Sequence, residues 1–267
     1  MDEIDTSVAH SARIWNYWLG GKDYFPVDRR VGDQIAEMFP DIVRLARADR
    51  AFLGRAVRYL AGEAGIRQFL DIGTGLPTAN NTHQVAQAVA PGCRIVYVDN
   101  DPLVLTHARA LLTGTGQGSI DYLNADLRDP DKILEEAADT LNFAQPVAVM
   151  LLGILHHIED DQQAQAIVDR LVDAIPPGSY LTIAHSTNQI TGAAMDEAVR
   201  HWNRFGKPSM TLRTPQAIAG FFDHLELLEP GVVSTSRWRP DPLDSSSGLP
   251  PETDEFCAVG RKPPKPS

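Results

Sequence analysis

The sequence predicts an α/β fold built on a parallel sheet with helices on both faces, preceded by a helical N-terminal segment. Three observations predict it. From Arg67 to Ser186, short apolar runs of strand length alternate with helix-length stretches, the pattern of successive βα units. Several of those stretches open on a capping residue followed by proline, as in Asp101-Pro102, Asp129-Pro130 and Thr214-Pro215, where a missing N–H costs nothing. The first 65 residues instead carry apolar positions at spacings of three and four, which reads as helix.

The elements follow in order. Ser7 to Leu19 is a helix, with Ala12, Trp15 and Leu19 on one side, and Gly20-Gly21 interrupts it. Arg29 to Phe39 and Asp41 to Glu63 are two more, the second ended by Gly62 and Gly65. The runs from Gln68, Cys93, Ser119, Pro146 and Ser179 are strands. The helices expected after the first four are Pro77 to Val89, Pro102 to Leu112, Pro130 to Leu141 and Asp161 to Ile175, with Asp160 and Asp161 at the head of the last. Each crossover is expected to be right-handed. Thr191 to Phe205 and Pro215 to Phe222 are helices, Leu225 to Val233 and Asp254 to Lys262 strands, and Pro240 to Pro251 a loop rich in Pro, Ser, Gly and Asp.

Composition bounds the function. The chain has 267 residues, 43% apolar and 22% charged, enough for a core that needs no disulfide or metal. The longest apolar run, Pro146 to His156, is short of the roughly 18 residues that cross a membrane. The opening MDEIDTSVAH is acidic and polar, unlike a secretory signal, so a cytoplasmic protein is expected. Cys93 and Cys257 stand far apart without a ligand pattern, so no metal site is expected. The net charge is −11, and residues 71–267 hold all of the acidic excess. Such a surface repels phosphate backbones, which disfavours a nucleic-acid substrate.

One motif carries chemistry. The strand Phe69 to Asp71 runs into Ile72-Gly73-Thr74-Gly75. Two glycines so placed allow a tight turn and a close backbone approach to a ligand at a helix N-terminus. A second strand ends in Asp99, placed to take both hydroxyls of a ribose, and a third in Asp126, suited to an adenine amine. Thr78 stands where the dinucleotide fingerprint has its third glycine, which argues against NAD. The plainer alternative is a pair of ordinary turn glycines.

These motifs, FLDIGTG (Phe69 to Gly75), VYVDNDP (Val96 to Pro102), NADLRDP (Asn124 to Pro130) and VMLLGILHHIED (Val149 to Asp160), make the sequence similar to class I S-adenosylmethionine-dependent methyltransferases. It resembles more narrowly an actinobacterial methyltransferase family of unassigned substrate, through SARIWNYWLGGKDYFPVDR (Ser11 to Arg29), IAHST and LRTPQAIAGFFDHLELLEPGVV. The resemblance implies a Rossmann-like, seven-stranded sheet that is mostly parallel with an antiparallel last strand. It implies S-adenosylmethionine as cofactor, with Gly73 and Gly75 along its methionine part and Asp71 toward the amino group, directly or through a water. Asp99 would take the ribose, Asn100 would flank the adenine, and Asp126 and Leu127 would recognise it. Gly153 and Ile154 would line the methyl-transfer site. Leu76-Pro77-Thr78 departs from relatives that carry a further glycine and makes the loop stiffer.

Other residues stand out by type. His156 and His157 follow the fourth strand, where an imidazole can remove a proton from an acceptor; local capping and packing is the alternative. His185 ends the fifth strand as a candidate substrate contact, or as a buried hydrogen-bonded histidine. The opening segment gathers Arg13, Trp15, Asn16, Trp18, Lys22, Tyr24 and Phe25 around Gly20-Gly21, which suits a lid over the cofactor. There Tyr17 or Tyr24 can stack on the adenine, while Arg13 or Lys22 meets the cofactor carboxylate. The alternative is a helix packed on the sheet edge. Trp202, Arg204, Phe205, Met210, Arg213 and Phe221 are candidates for a substrate wall.

The expected organisation is a helical extension or lid over 1–65, a methyltransferase domain over 66–262 and a tail over 263–267. The expected activity is methyl transfer to O or N of a small molecule, by a monomer or homodimer without nucleic-acid or membrane partners. A non-catalytic, regulatory cofactor-binding protein is the alternative.

Overall fold

The computed structural model describes residues 4–111, 118–241 and 248–264. The end of the helix expected at Leu112, much of the 240–251 loop and most of the tail lie outside them.

A short strand β1 (Ala9–His10) leads into α1 (Ser11–Trp18), α2 (Pro26–Met38) and α3 (Ile42–Gly62). The alternating series follows: β2 (Gln68–Ile72), α4 (Thr82–Val89), β3 (Arg94–Asp99), α5 (Pro102–Leu111), β4 (Ser119–Asn124), α6 (Pro130–Ala137) and β5 (Ala148–Leu152). A 3₁₀ turn over Leu155–His157, α7 (Asp161–Ala174) and β6 (Tyr180–Ser186) complete it. The remainder is α8 (Ala193–Phe205), β7 (Gly206–Lys207), α9 (Pro215–Gly220), β8 (Glu226–Leu227), β9 (Val233–Ser234) and β10 (Glu255–Arg261).

The main sheet runs β4-β3-β2-β5-β6-β10-β8, with β9 also on β10. Strands β2 to β6 are mutually parallel, and β10 is antiparallel to β6. This is the Rossmann-like arrangement, with one difference. The strand expected over Leu225 to Val233 is two short pieces on the same edge of β10, pairing with Gly260 and Arg261 and with Phe256 and Cys257. Between them the Gly231 N–H bonds to Leu228 O, and Pro230 has no N–H to offer a ladder.

Helix starts follow their caps. The Asp129 carboxylate accepts from Lys132 N, Asp160 from Gln163 N, and the Thr214 hydroxyl from Ala217 N. One start differs from the sequence reading: α4 begins at Thr82, not Pro77. Asn81 and Gln84 form a reciprocal cap there, so 77–81 remains a loop.

Two apolar clusters cover the faces of the sheet, one through Val96, Val149 and Leu171, the other through Phe69, Tyr97 and Trp238. A third joins α1, α2 and the first half of α3 to α8, through Ile14, Trp18, Ile35, Leu45, Met195 and Trp202. The second half of α3 (Phe52, Ala56, Leu60) belongs to the sheet core, so the helical layer and the sheet are joined through one helix. Strands β1 and β7 pair in parallel, Ala9 with Gly206 and His10 with Lys207, and this tie draws α8 and the N-terminus to the same rim.

Candidate active site

The strand order reverses between β2 and β5, and a crevice opens beyond their C-terminal ends, as this topology dictates. The cleft holds about 400 Å³ and is lined by the loops after β2, β3, β4 and β5, closed above by His10, α1 and part of α3. Gly73 and Gly75 have φ of +78° and +64°, where a side chain is strained. A Cβ on Gly73 would also lie 2.6 Å from the Ile154 Cβ, whereas Gly75 faces open space. The loop is therefore locked on one side and bare on the other.

Asp99 stands at the end of β3. Its two carboxylate oxygens accept the Gly75 N–H at 2.8 Å and the Asp101 N–H at 2.9 Å. Each keeps a further lone pair, and the side chain lines the cleft. Burial raises its pKa and the two backbone donors oppose the rise. Asn100 donates to Asp126 at 3.0 Å, and Asp126 also accepts the Arg128 N–H at 2.8 Å. Asn100, Asp126, Leu127, Gly153 and Ile154 all line the cleft.

Asp71 departs from expectation. It is not on the cleft wall. Its carboxylate is buried under α4 and accepts the Thr82 hydroxyl at 2.6 Å, and burial pushes its pKa up to about 6. A further carboxylate on the cleft wall, which the sequence reading did not single out, is Asp49, on α3, beside Arg50. Asp49 Oδ1 is buried without a hydrogen-bond partner. Burial pushes this carboxyl up to about 7 against the pull of Arg50. Arg50 is itself held to the 77–81 loop, donating to Asn81 Oδ1 at 2.7 Å and to Ala79 O at 3.2 Å. A signal existed. Along Leu45, Ala46, Asp49, Leu53 and Ala56, Asp49 occupies a turn where the buried stripe calls for an apolar residue.

The opening segment is corrected in the same way. His10, Ser11, Ala12, Trp15, Asn16 and Leu19 line the cleft; Arg13, Lys22 and Tyr24 do not. Arg13 is buried and consumed by Asp5 O at 2.9 Å, Val8 O at 2.6 Å and the Asp28 carboxylate at 3.2 Å. Lys22 is exposed. The Tyr24 ring packs edge-on against Tyr17 at 4.9 Å. Among the described residues the cations on the cleft wall are Arg50, Arg128 and Lys207.

The three histidines separate. His185 is fully buried with both ring nitrogens engaged, Nδ1 on Ser186 O at 2.8 Å and Nε2 on the Arg213 guanidinium at 2.8 Å. Burial lowers its pKa to about 3. The expected substrate contact is thus a buried structural histidine, because β6 ends beneath the segment carrying Arg213. His157 lines the cleft, and its Nδ1 lies 2.8 Å from Ser209 O. Burial lowers its pKa to about 4. His156 lies one layer back, its Nδ1 3.2 Å from the Ser186 hydroxyl, which donates to Glu255 at 2.7 Å. Burial and the neighbouring imidazoles and Arg213 hold it well below the usual range.

Of the expected substrate wall, Trp202 and Met210 line a small apolar chamber behind the cleft. Arg213 is bound to Asp161, Leu155 O and Ile158 O, Phe221 belongs to the sheet core, and Arg204 and Phe205 are exposed. No group of three potential metal ligands occurs among the described residues, and none of their helices is long and apolar enough to cross a membrane.

Comparison with known proteins agrees with this geometry. A DUF574-family protein from Streptomyces avermitilis is 45% identical over 98% of this chain and 100% of its own, with a TM-score of 0.93. A protein from Thermobifida fusca, described as a candidate methyltransferase, is 41% identical over 97% of each chain, with a TM-score of 0.90. A search of curated proteins finds no match. A family model for S-adenosyl methyltransferases matches residues 1–263, the helical segment as well as the sheet. The chain belongs to the S-adenosyl methyltransferase family, whose cofactor is S-adenosylmethionine.

Proposed function

We propose that the protein transfers the methyl group of S-adenosylmethionine to an oxygen or nitrogen atom of a small molecule. The observation that carries this reading is Asp99, fixed by two backbone donors at the lip of the glycine loop with lone pairs left for a ribose. The wall also fits the rest of the cofactor. The unpaired oxygen of Asp49 suits its ammonium, Arg50 and Lys207 suit its carboxylate, and Asn100, Asp126 and Leu127 suit its adenine. When bound, the cofactor supplies an electrophilic methyl group on a sulfonium sulfur. The protein then has to align an acceptor and take a proton. Gly153 and Ile154 border that point, and His157 is the candidate proton acceptor there, with His156 behind it.

The helical segment 1–65 acts as the cover of the cleft, 66–262 as the methyltransferase body and 263–267 as a tail. Two free, buried thiols, Cys93 and Cys257, support a reducing, cytoplasmic setting. The protein acts as a monomer or homodimer without nucleic acid or membrane. The test is calorimetric binding of S-adenosylmethionine and S-adenosylhomocysteine, followed by a screen of metabolites for transfer of labelled methyl. Both cofactors are expected to bind and at least one metabolite to be labelled. Absence of cofactor binding overturns the reading, and binding without transfer favours a regulatory protein.

A further inference from the structure

His10, in the roof of the cleft, is an imidazole backed by a carboxylate. Its Nδ1 lies 2.8 Å from Asp101 Oδ2, a short contact rather than an aligned hydrogen bond. That nitrogen is buried, and no other group answers it among the described residues. Asp101 is only 4% exposed and is fixed in turn. Its Oδ1 accepts the Leu103 N–H at 2.8 Å, and its own N–H donates to Asp99 at 2.9 Å. Burial raises the pKa of Asp101, but His10, the Leu103 N–H and Arg13 more than offset the rise, so the carboxyl is held below its usual value. A carboxylate therefore stands beside this imidazole.

The backbone aims the ring. The His10 N–H donates to Asp28 Oδ1 at 3.0 Å, and His10 is in register with Lys207 on β7. Nδ1 is buried while the side chain is 27% exposed and lines the cleft, so the ring turns Nε2 to the open side. The segment after β7 links this imidazole to the other one on the cleft wall. Pro208 lines the cleft, and Ser209 O lies 2.8 Å from His157 Nδ1. His157 thus has a carbonyl where His10 has a carboxylate. Burial lowers the His157 pKa to about 4 against the Ser209 contact, and positive charge on His10 and Arg128 lowers it further. An imidazolium at His157 would be buried with cations for neighbours, whereas one at His10 faces Asp101. The other charged groups near His10 are Asp5, Arg13, Asp28, Asp99 and Lys207. Of these, Arg13 is consumed by Asp5 O, Val8 O and Asp28.

We propose that His10 is the catalytic base of the transfer and that Asp101 is its positioning residue. This rests on the methyl-transfer reading and moves the proton from His157 to the imidazole in the roof. A carboxylate at Nδ1 holds an imidazole with its Nε2 lone pair outward and stabilises the cation that forms when that lone pair takes a proton. In the transfer, a lone pair on the acceptor oxygen or nitrogen forms the new bond to the methyl carbon. The S–C bond breaks with its electron pair going to sulfur, which becomes a neutral thioether. The acceptor proton passes to His10 Nε2, and the resulting imidazolium is paired with Asp101. His157 is left to orient the acceptor.

The test uses the full chain saturated with S-adenosylhomocysteine. In heteronuclear NMR that reads histidine tautomers at about pH 8, neutral His10 is expected in the Nδ1–H form. Asp101→Asn keeps an oxygen to cap α5 but loses the charge, and is expected to abolish that preference. Diethyl pyrocarbonate, read by peptide mass spectrometry, is expected to modify His10 and to spare the buried His185. With a metabolite labelled in the screen, His10→Gln is expected to lower kcat at least about 100-fold. Its KM and its affinity for S-adenosylhomocysteine should stay within about threefold of wild type. An Nε2–H tautomer at His10, full protection of His10 by S-adenosylhomocysteine, or an unchanged kcat in His10→Gln overturns this inference alone. So does a kcat that falls only in step with cofactor affinity, the mark of a mere tie between α1 and the loop after β3. A tautomer preference that survives in Asp101→Asn removes Asp101 from the proposal. Failure of S-adenosylhomocysteine to bind, or of every metabolite to be labelled, overturns the methyl-transfer reading and this inference with it.

Discussion

Asp99 and Asp49 show how one residue type serves two ends of a cleft. Asp99 is pinned by the N–H groups of Gly75 and Asp101, so in the proposed ribose contact its carboxylate needs no further ordering. Charge-assisted hydrogen bonds contribute about 1.5–3 kcal/mol each. Asp99→Ala is therefore expected to weaken cofactor binding at least about tenfold in calorimetry, and unchanged affinity would remove the ribose assignment. Asp49 is the reverse case, a buried carboxyl with an unpaired oxygen, its pKa raised to about 7. The folded apo-protein keeps a proton there that the unfolded chain, near 3.9, has released. Unfolding then releases a proton, so this group makes the apo-protein less stable as pH rises from about 4 to about 7. In the proposed contact with the cofactor, binding has the opposite sign, because an ammonium favours the carboxylate. Affinity for S-adenosylhomocysteine is expected to rise several-fold from about pH 6 to about pH 8 as Asp49 ionises. In Asp49→Asn it should be weaker at the upper pH and its pH dependence shallower. An equally steep profile in the variant would reject the role of Asp49.

At the scale of elements, α1 is both core and cover. Ile14 and Trp18 are buried in the cluster with α2 and α8, while Ser11, Trp15 and Leu19 line the cleft. The turn after it is built rather than loose. Gly20 has φ of +83°, and Asn16 Oδ1 accepts the Asp23 N–H at 3.0 Å. His10 Nδ1 lies 2.8 Å from the Asp101 carboxylate, which ties the start of α1 to the loop that follows Asp99. A ligand bound under α1 ought therefore to steady it. Amide exchange across Ser11 to Leu19 is expected to slow at saturating S-adenosylhomocysteine. If those amides exchange at the same rate with and without ligand, α1 is packing and not a lid.

At the scale of the molecule, the charge decides partners. The chain carries 24 Lys and Arg against 35 Asp and Glu. Of the cations that line the cleft, Arg50 is already bound to the 77–81 loop and Arg128 to Asp126. A duplex would meet net repulsion and little counterion release. Fluorescence anisotropy with duplex DNA at physiological salt is expected to show no salt-dependent binding. Micromolar affinity that falls steeply with salt would reverse the ranking of substrates.

The order of strands and helices, the glycine loop and the carboxylate at the end of β3 were legible in the sequence by itself. Each rests on signals a few residues long: buried runs of strand length, helical spacing, an Asp-Pro cap, a Gly-Thr-Gly turn. The start of α4 was misplaced because Asn81 and Gln84 cap it more completely than Pro77 can begin it. Which side chains remain free for chemistry was decided only by the tertiary structure. Arg13 looked available until the fold turned it to Asp5, Val8 and Asp28. His185 looked like a rim residue until Arg213, 28 positions away, closed its second nitrogen. His156 is oriented by Ser186, and Ser186 by Glu255, 69 positions further along. The chamber needs α1 and α8 brought together on α2, an arrangement that no local pattern encodes. Periodicity and capping act between near neighbours and survive in the linear chain. The protonation and availability of a polar group depend on what packs against it, and those partners come together only when distant segments fold.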